Sequence, residues 1–155
     1  MTYKIISTLD GSTKTCSLSE LSRSLKLNCI LAELNTDSSI SDSWPLVHET
    51  LVTFAVEFAD YALLNYSKQK IPEAEACITL TRKWLENHNS VSNEELKSAA
   101  AGHAAAHAAH AAYDAAYAAA HAADAAADAA GKNREAELIC QGQFIVEYLK
   151  SSSLC

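Results

Sequence analysis

Side chains that can bind a metal ion or exchange a proton recur at regular steps through an alanine-rich segment of the sequence. Alternating steps of four and three residues separate them, so a helix would carry all of them on one face. Imidazole and carboxylate groups on one face can coordinate a metal, form hydrogen bonds or contact a partner protein. This polar stripe consists of His103, His107, His110, Asp114, Tyr117, His121, Asp124 and Asp128.

Zinc binding is one interpretation of the histidines. His103 and His107 lie about one helical turn apart and could both coordinate one Zn²⁺, with His110 as a third ligand. Position 104 is alanine, so the glutamate base of the His-Glu-x-x-His motif is missing. The sequence also lacks a glycine-rich phosphate loop, since it contains only 4 glycines. We therefore expect a non-enzymatic protein without a cofactor, with zinc at these three histidines as the alternative.

Three further interpretations of the polar stripe are open at this point. The stripe could be the solvated face of an otherwise buried helix. It could form hydrogen bonds to a neighbouring helix and fix the register across a smooth alanine surface. It could also contact a partner protein, because tyrosine is an interface residue and a rigid helix loses little entropy on binding. Asp124 and Asp128 lie near the predicted C-terminus, where the helix dipole disfavours acids, which favours a role beyond helix stability.

A long helix must position this stripe. Alanine, the best helix former, occupies 22 of the 32 positions from 99 to 130. Ser92 and Glu95 have the spacing of a capping box at the start, and Gly131 is a typical residue to follow a helix end. The pattern predicts one central helix over about 93–130, either straight or kinked, with larger side chains from other helices packed on its flanks.

The remaining segments predict a bundle around this helix. Residues 1–16 are ambiguous, because "YKIIS" could form a short strand, and a second capping box at Ser17 and Glu20 opens a helix in the N-terminal region 1–43. Pro45 and Pro72 each stand in the first turn of a predicted helix. We expect a single all-α domain over 1–155 with a helical core at 44–150, whose helices run from Trp44 to about Tyr66, from Pro72 to about 86, and over about 133–150.

Charge and cysteine content limit the classes of partner. The formal charge of −7 argues against nucleic acid and against an anionic membrane surface, and it suits a basic protein partner. No segment is apolar enough for a signal peptide or a membrane span. Five cysteines without a C-x-x-C motif indicate reduced thiols in the cytoplasm, with Cys77 and Cys140 buried in helices.

Several motifs occur in a recognisable order. "FAVEFADYALLNY" ends one helix, "PEAEACITLTRKWLE" forms a proline-led helix, and "VSNEEL" leads into the alanine repeat. From Phe54 to about Asp128 the chain resembles the alanine-rich immunity proteins of bacterial polymorphic toxin systems, the type-five-like group. The resemblance implies a cytoplasmic, non-enzymatic protein that binds and blocks a toxin.

These observations predict an immunity protein that neutralises a basic toxin by direct binding. Its contact surface would be the polar stripe together with acidic turns at Glu73, Glu75, Glu94 and Glu95. The alternatives are a helical protein that binds a metal or small ligand through its histidines, and an effector or scaffold whose alanine helix is purely structural.

Overall fold

The computed structural model describes residues 1–66, 72–92, 94–95 and 127–153. Within these ranges four strands come first, with the short helix α1 after the second, and three long helices follow. The elements are β1 (Thr2–Ser7), β2 (Thr13–Ser17), α1 (Leu18–Leu21), β3 (Cys29–Leu34), β4 (Ile40–Leu46), α2 (His48–Tyr66), α3 (Pro72–Glu86) and α4 (Arg134–Ser152), with short 3₁₀ turns at Ser22–Ser24, His88–Ser90 and Gly131–Asn133.

The prediction of an all-α bundle is wrong, because the N-terminal third forms an antiparallel sheet. Its strand order is β2-β1-β3-β4, and all three pairings are antiparallel. The helix predicted from Ser17 stops at Leu21, and residues 29–34 form a central strand instead. This strand is nearly buried along its whole length, so its apolar run lacks the alternation that marks a strand with one solvated face. The molecule is therefore a mixed α/β protein.

The segment around Trp44 and Pro45 also differs from its prediction. Both residues lie in the edge strand β4, and α2 begins only at His48. An edge strand tolerates proline because one of its two sides forms no ladder hydrogen bonds. Trp44 is buried in the core, which explains why this short segment is apolar.

Local start and stop signals predicted the later helices correctly. The proline-led helix α3 begins at Pro72, and the last helix spans Arg134–Ser152. Both predicted capping boxes are present. At the first, the Ser17 backbone N–H donates to Glu20 Oε2 over 2.8 Å. At the second, the Ser92 N–H donates to Glu95 Oε2 over 2.7 Å.

Only the ends of the predicted central helix fall within the described residues. Glu94 and Glu95 are helical, as are residues 127–129, and Gly131 has a φ of +57°, as expected just after a helix. Residues 96–126 lie outside the described residues. Within the described ranges, no helix combines the length and the apolar content needed to span a membrane.

The two faces of the sheet have different surroundings. The inner face packs on α2 and α4, and it contributes Tyr3, Ile5, Cys16, Cys29, Leu31, Trp44 and Leu46 to the hydrophobic core. The outer face carries the alternate side chains in three lateral rows. The strand register gives these rows as Thr13–Ile6–Ile30–Pro45, Thr15–Lys4–Ala32–Ser43 and Ser17–Thr2–Leu34–Ile40.

Two close contacts hold helix α4 in place, one with α1 and one with the sheet. Near its middle, Gly142 lies against Leu18 of α1 so closely that a Cβ would overlap the Leu18 carbonyl oxygen. Near its C-terminus, Lys150 Nζ lies 2.9 Å from Glu33 Oε2 of β3. These two contacts fix the position of α4 relative to α2, which determines the shape of the space between the two helices.

Candidate functional site

Most of the polar stripe cannot be placed. His103, His107, His110, Asp114, Tyr117, His121 and Asp124 lie outside the described residues, and with them the three histidines of the zinc alternative. Asp128 is described, and its exposed carboxylate pairs with Arg134. Within the described ranges, no three His, Cys, Asp or Glu side chains are grouped so that they could hold a metal ion.

The predicted acidic turns are placed in part. Glu75, Glu94 and Glu95 are exposed, whereas the Glu73 side chain lies outside the described residues. Hydrogen bonds, first from the Ser92 backbone N–H and then from its side chain, lower the pKa of Glu95. Glu95 therefore forms part of the capping box with Ser92, whereas Glu75 and Glu94 remain available as surface charges.

A cleft lies between α2 and α4. Its volume is about 380 Å³, which falls within the usual range for ligand pockets of about 300–1,000 Å³. We call it the α2–α4 cleft. Its walls are Glu57, Phe58, Asp60, Tyr61 and Leu64 from α2, and Glu137, Cys140, Gln141 and Phe144 from α4.

Aromatic rings form the floor of the α2–α4 cleft. Phe58 and Phe144 face each other across the two helices with their ring centroids 6.2 Å apart and their planes at 71°. Below them, Phe54 makes edge contacts with Phe144 and Tyr148 at centroid distances of 6.1 and 5.4 Å. Such offset and edge-on arrangements stabilise aromatic pairs beyond their buried area. The floor is therefore apolar and rigidly packed.

Carboxylates line the sides of this apolar floor. Glu57 and Asp60 both accept hydrogen bonds from one guanidinium, Arg82 of α3, over 3.0 and 2.9 Å. Burial opposes the charge of Arg82, but the hydrogen bonds to both carboxylates prevail and raise its pKa. On the opposite wall, Glu137 is only 4% exposed and accepts a hydrogen bond from Gln141 Nε2 over 3.1 Å. The three carboxylates and the one guanidinium together have a formal charge of −2.

Apolar side chains at the mouth of the α2–α4 cleft are exposed to solvent. Leu64 is 77% exposed and Tyr61 is 47% exposed. The thiol of Cys140 is also exposed, which corrects the prediction that α4 buries it. An exposed leucine and tyrosine beside a well-packed apolar floor are typical of a surface that a partner covers.

A second cluster lies where α2 begins and α3 ends. The Trp84 ring stacks on His88 at a centroid distance of 4.1 Å and meets the edge of His48 at 5.4 Å. Trp84 is 7% exposed, and His88 lies 3.9 Å from Glu49. These rings join the ends of two helices, and we assign them a packing role.

Sequence reasoning missed the α2–α4 cleft, although each wall has a helical signature. Glu57, Asp60, Tyr61 and Leu64 are spaced at i, i+3, i+4 and i+7, which places them on one face of α2. Glu137, Cys140, Gln141 and Phe144 repeat the same spacing on α4. The spacing predicts each wall, but nothing local in the sequence indicates that two helices so far apart in the chain lie side by side.

Comparison of the chain with protein-family models, curated proteins and solved structures finds no match.

Proposed function

We propose that this chain is an immunity protein of the cytoplasm that neutralises a basic toxin by binding it directly, without catalysing a reaction. The motif order from Phe54 onward supports the class of protein. The α2–α4 cleft supports the mode of action, and its carboxylates beside exposed apolar side chains are the observation that carries the proposal.

The charge of the cleft selects the kind of partner. A lysine or arginine of the toxin would approach Glu57 and Asp60, whose two negative charges share the guanidinium of Arg82 within the described part of the chain. The whole chain has a formal charge of −7, so long-range attraction to a basic protein adds to these contacts. A partner with an acidic contact surface would be repelled.

The apolar residues of the cleft supply the affinity. Leu64 and Tyr61 lose their water on binding, and each exposed aliphatic or aromatic side chain of this size gains about 1.5–3 kcal/mol when fully buried. The helices that present them are held in place by the Phe58–Phe144 contact, so little conformational entropy is lost on association. An apolar centre with a charged rim is the usual arrangement of a protein interface.

Co-expression with the toxin encoded beside the gene tests the proposal. We expect the wild-type chain to restore growth and to co-purify with the toxin. Leu64→Lys should abolish both effects, because it removes an apolar contact and places a cation one turn from Asp60, where it competes with the toxin's cation. Leu9→Lys is the matched control, since Leu9 is 79% exposed and lies in the β1–β2 turn.

Two results would contradict this proposal. Failure of the wild-type chain to bind or neutralise the neighbouring toxin would count against the immunity function. Neutralisation that Leu64→Lys leaves intact would remove the α2–α4 cleft from the mechanism and return attention to the acidic turns at Glu75 and Glu94.

A further inference from the structure

An exposed apolar patch occupies one end of the outer face of the sheet, away from the α2–α4 cleft. Its centre is the lateral row in which Ile6, Ile30 and Pro45 stand side by side on three adjacent strands. Ile6 and Ile30 are half-buried and Pro45 is exposed. The hydrophobic core that the inner face forms with the helices does not include these side chains.

Three loop residues extend this row past the end of the strands. Leu9 lies in the β1–β2 turn, Leu27 precedes β3, and Val47 follows β4, so all three stand at the same end of the sheet. They are 79%, 37% and 47% exposed. The Thr8 backbone N–H and hydroxyl donate to the Asn28 carbonyl over 2.9 and 2.7 Å, which holds two of these loops together. We call the row and these three residues the outer apolar patch.

Charge identifies what can cover the outer apolar patch. The three rows of the outer face hold twelve side chains, and only Lys4 among them is charged. The loops add Lys26 and Asp10, whose carboxylate already accepts the Ser12 N–H over 2.9 Å. Two copies of a chain with a formal charge of −7 repel each other over most of their surfaces. They can approach most closely at a face whose three rows carry no carboxylate.

We propose that a second copy of this chain covers the outer apolar patch in a dimer. At such an interface, β-branched and apolar side chains of the two copies interdigitate. Ile6 and Ile30 are such side chains and are partly exposed at this end of the sheet, whereas Ala32 in the next row is already buried and lies outside the patch. This inference does not depend on the immunity function.

The area of the patch sets the expected strength of the dimer. The outer apolar patch covers one lateral row of the sheet and the loops at its end. An interface that two copies build on it would bury at most about 1,000 Å² in total, the lower limit for a specific interface. We therefore expect a dissociation constant of about 10–100 µM.

Sedimentation velocity on the full chain, with a reductant present, tests the dimer over about 5–500 µM. The wild type should pass from monomer to dimer across this range. Ile30→Glu should weaken the dimer at least tenfold, because each copy would bury a carboxylate in the apolar row. Leu64→Glu is the matched control: it changes the net charge equally, lies in the α2–α4 cleft, and should dimerise as the wild type does.

Circular dichroism should show that each variant is folded. If Ile30→Glu does not fold, Val47→Glu tests the same patch at a residue outside the strands that is already 47% exposed. A wild-type chain that remains monomeric at the highest concentration overturns the inference, as does a dimer that neither patch variant weakens. A dimer that Leu64→Glu disrupts as strongly as the patch variants do would place the interface elsewhere and would also overturn it.

Discussion

The two faces of the sheet are built from the same strands and yet obey different constraints. On β3, Leu31 points inward and is 0% exposed, whereas its neighbour Ile30 points outward and is half-buried. The inner side chains pack against two helices, so their size and shape are fixed by many neighbours. The outer side chains need only suit a pleated surface.

The two faces therefore differ in role: the inner side chains are needed for folding, whereas the exposed outer side chains are available for contact with a partner. The inner face is responsible for stability, because it joins the strands to α2 and α4 in one core. Substitutions there should unfold the protein. The row of Ile6, Ile30 and Pro45 on the outer face can change with less effect on folding, because these side chains are partly or fully exposed, and this leaves its composition free to serve association. Four measurements test this separation, and the largest expected effect comes from adjacent residues on β3.

Replacing Leu31 or Ile30 by alanine compares the two faces directly. Leu31→Ala should lower the free energy of unfolding by about 2–5 kcal/mol, because it leaves a cavity in the core. Ile30→Ala should cost at most about 1 kcal/mol, since only part of its surface is buried by strand neighbours. Urea unfolding near 1 µM, about tenfold or more below the expected dimer dissociation constant, gives both values for the monomer. Similar losses at the two positions would show that the outer face is also packed against something in the monomer.

Gly142→Ala tests the contact that holds α4 on the inner side. Alanine favours a helix over glycine by about 1 kcal/mol, so at an open helix position this change would stabilise the protein. Here the new methyl group meets the Leu18 backbone, which cannot rotate away, and we expect a net loss of about 1–3 kcal/mol in the free energy of unfolding.

The sign of the change in the free energy of unfolding shows whether Gly142 is in close contact with Leu18. Thermal and urea unfolding should both show a less stable variant. The control is Gly11→Ala in the β1–β2 turn, where no atom lies within 4 Å of a Cβ and the cost comes only from the φ of +71°. A more stable Gly142→Ala variant would show that α1 and α4 are not in close contact.

Lys150→Met tests the charged end of the same helix. The ion pair joins a lysine side chain that is 46% exposed to a glutamate side chain that is 6% exposed, so the carboxylate depends on this partner. The hydrogen bond to Glu33 raises the pKa of Lys150 despite a smaller opposing effect of burial. Removing the cation should lower the free energy of unfolding by about 1–2 kcal/mol.

A double variant separates the loss of the ion pair from the loss of packing. Glu33→Gln combined with Lys150→Met should be more stable than Lys150→Met alone, because a buried amide needs no counter-ion. Chemical unfolding of the four proteins of this cycle gives the coupling energy. A coupling near zero would show that the Glu33 carboxylate is sufficiently solvated without Lys150.

The comparison of faces also explains which elements could be predicted from the sequence. Helices α3 and α4 have local signals, such as Pro72 at a first turn and Gly131 as the break before the last helix, and these signals act regardless of distant residues. The strand β3 has no such signal. Its identity comes from pairing on both sides with β1 and β4, and its near-complete burial removes the alternation that would have revealed a strand.

The α2–α4 cleft shows the same limit for function. The carboxylates of α2 and the phenyl ring of Phe144 each have helical spacing in the sequence. The position of α4 relative to the sheet brings them together. That position depends on the contact of Gly142 with Leu18 and on the ion pair between Lys150 and Glu33. Those contacts join residues more than a hundred positions apart, so the spacing indicates the residues but not the site.

The smallest expected effect is a loss of stability at alkaline pH that originates on the inner face. Tyr3 and Cys16 are directly opposite each other on β1 and β2. Burial first, and then the charge of Glu33, raises the pKa of Tyr3 above its usual 10.0. Burial also raises the pKa of Cys16 above its usual 9.0, despite the opposing charge of Lys14. Both groups are neutral when protonated, so the folded state retains these protons more tightly than the unfolded state does.

The resulting stabilisation is fully present below the unfolded pKa values and is lost as the pH rises through the folded ones. Urea unfolding between pH 7 and pH 11 should therefore show a free energy of unfolding that falls above about pH 9. The free energy of unfolding of the double variant Tyr3→Phe, Cys16→Ala should fall less steeply over the same pH range. Tyr61→Phe removes a phenol that is 47% exposed and should retain the wild-type slope. If the double variant also retained that slope, the alkaline loss would not arise from the inner face.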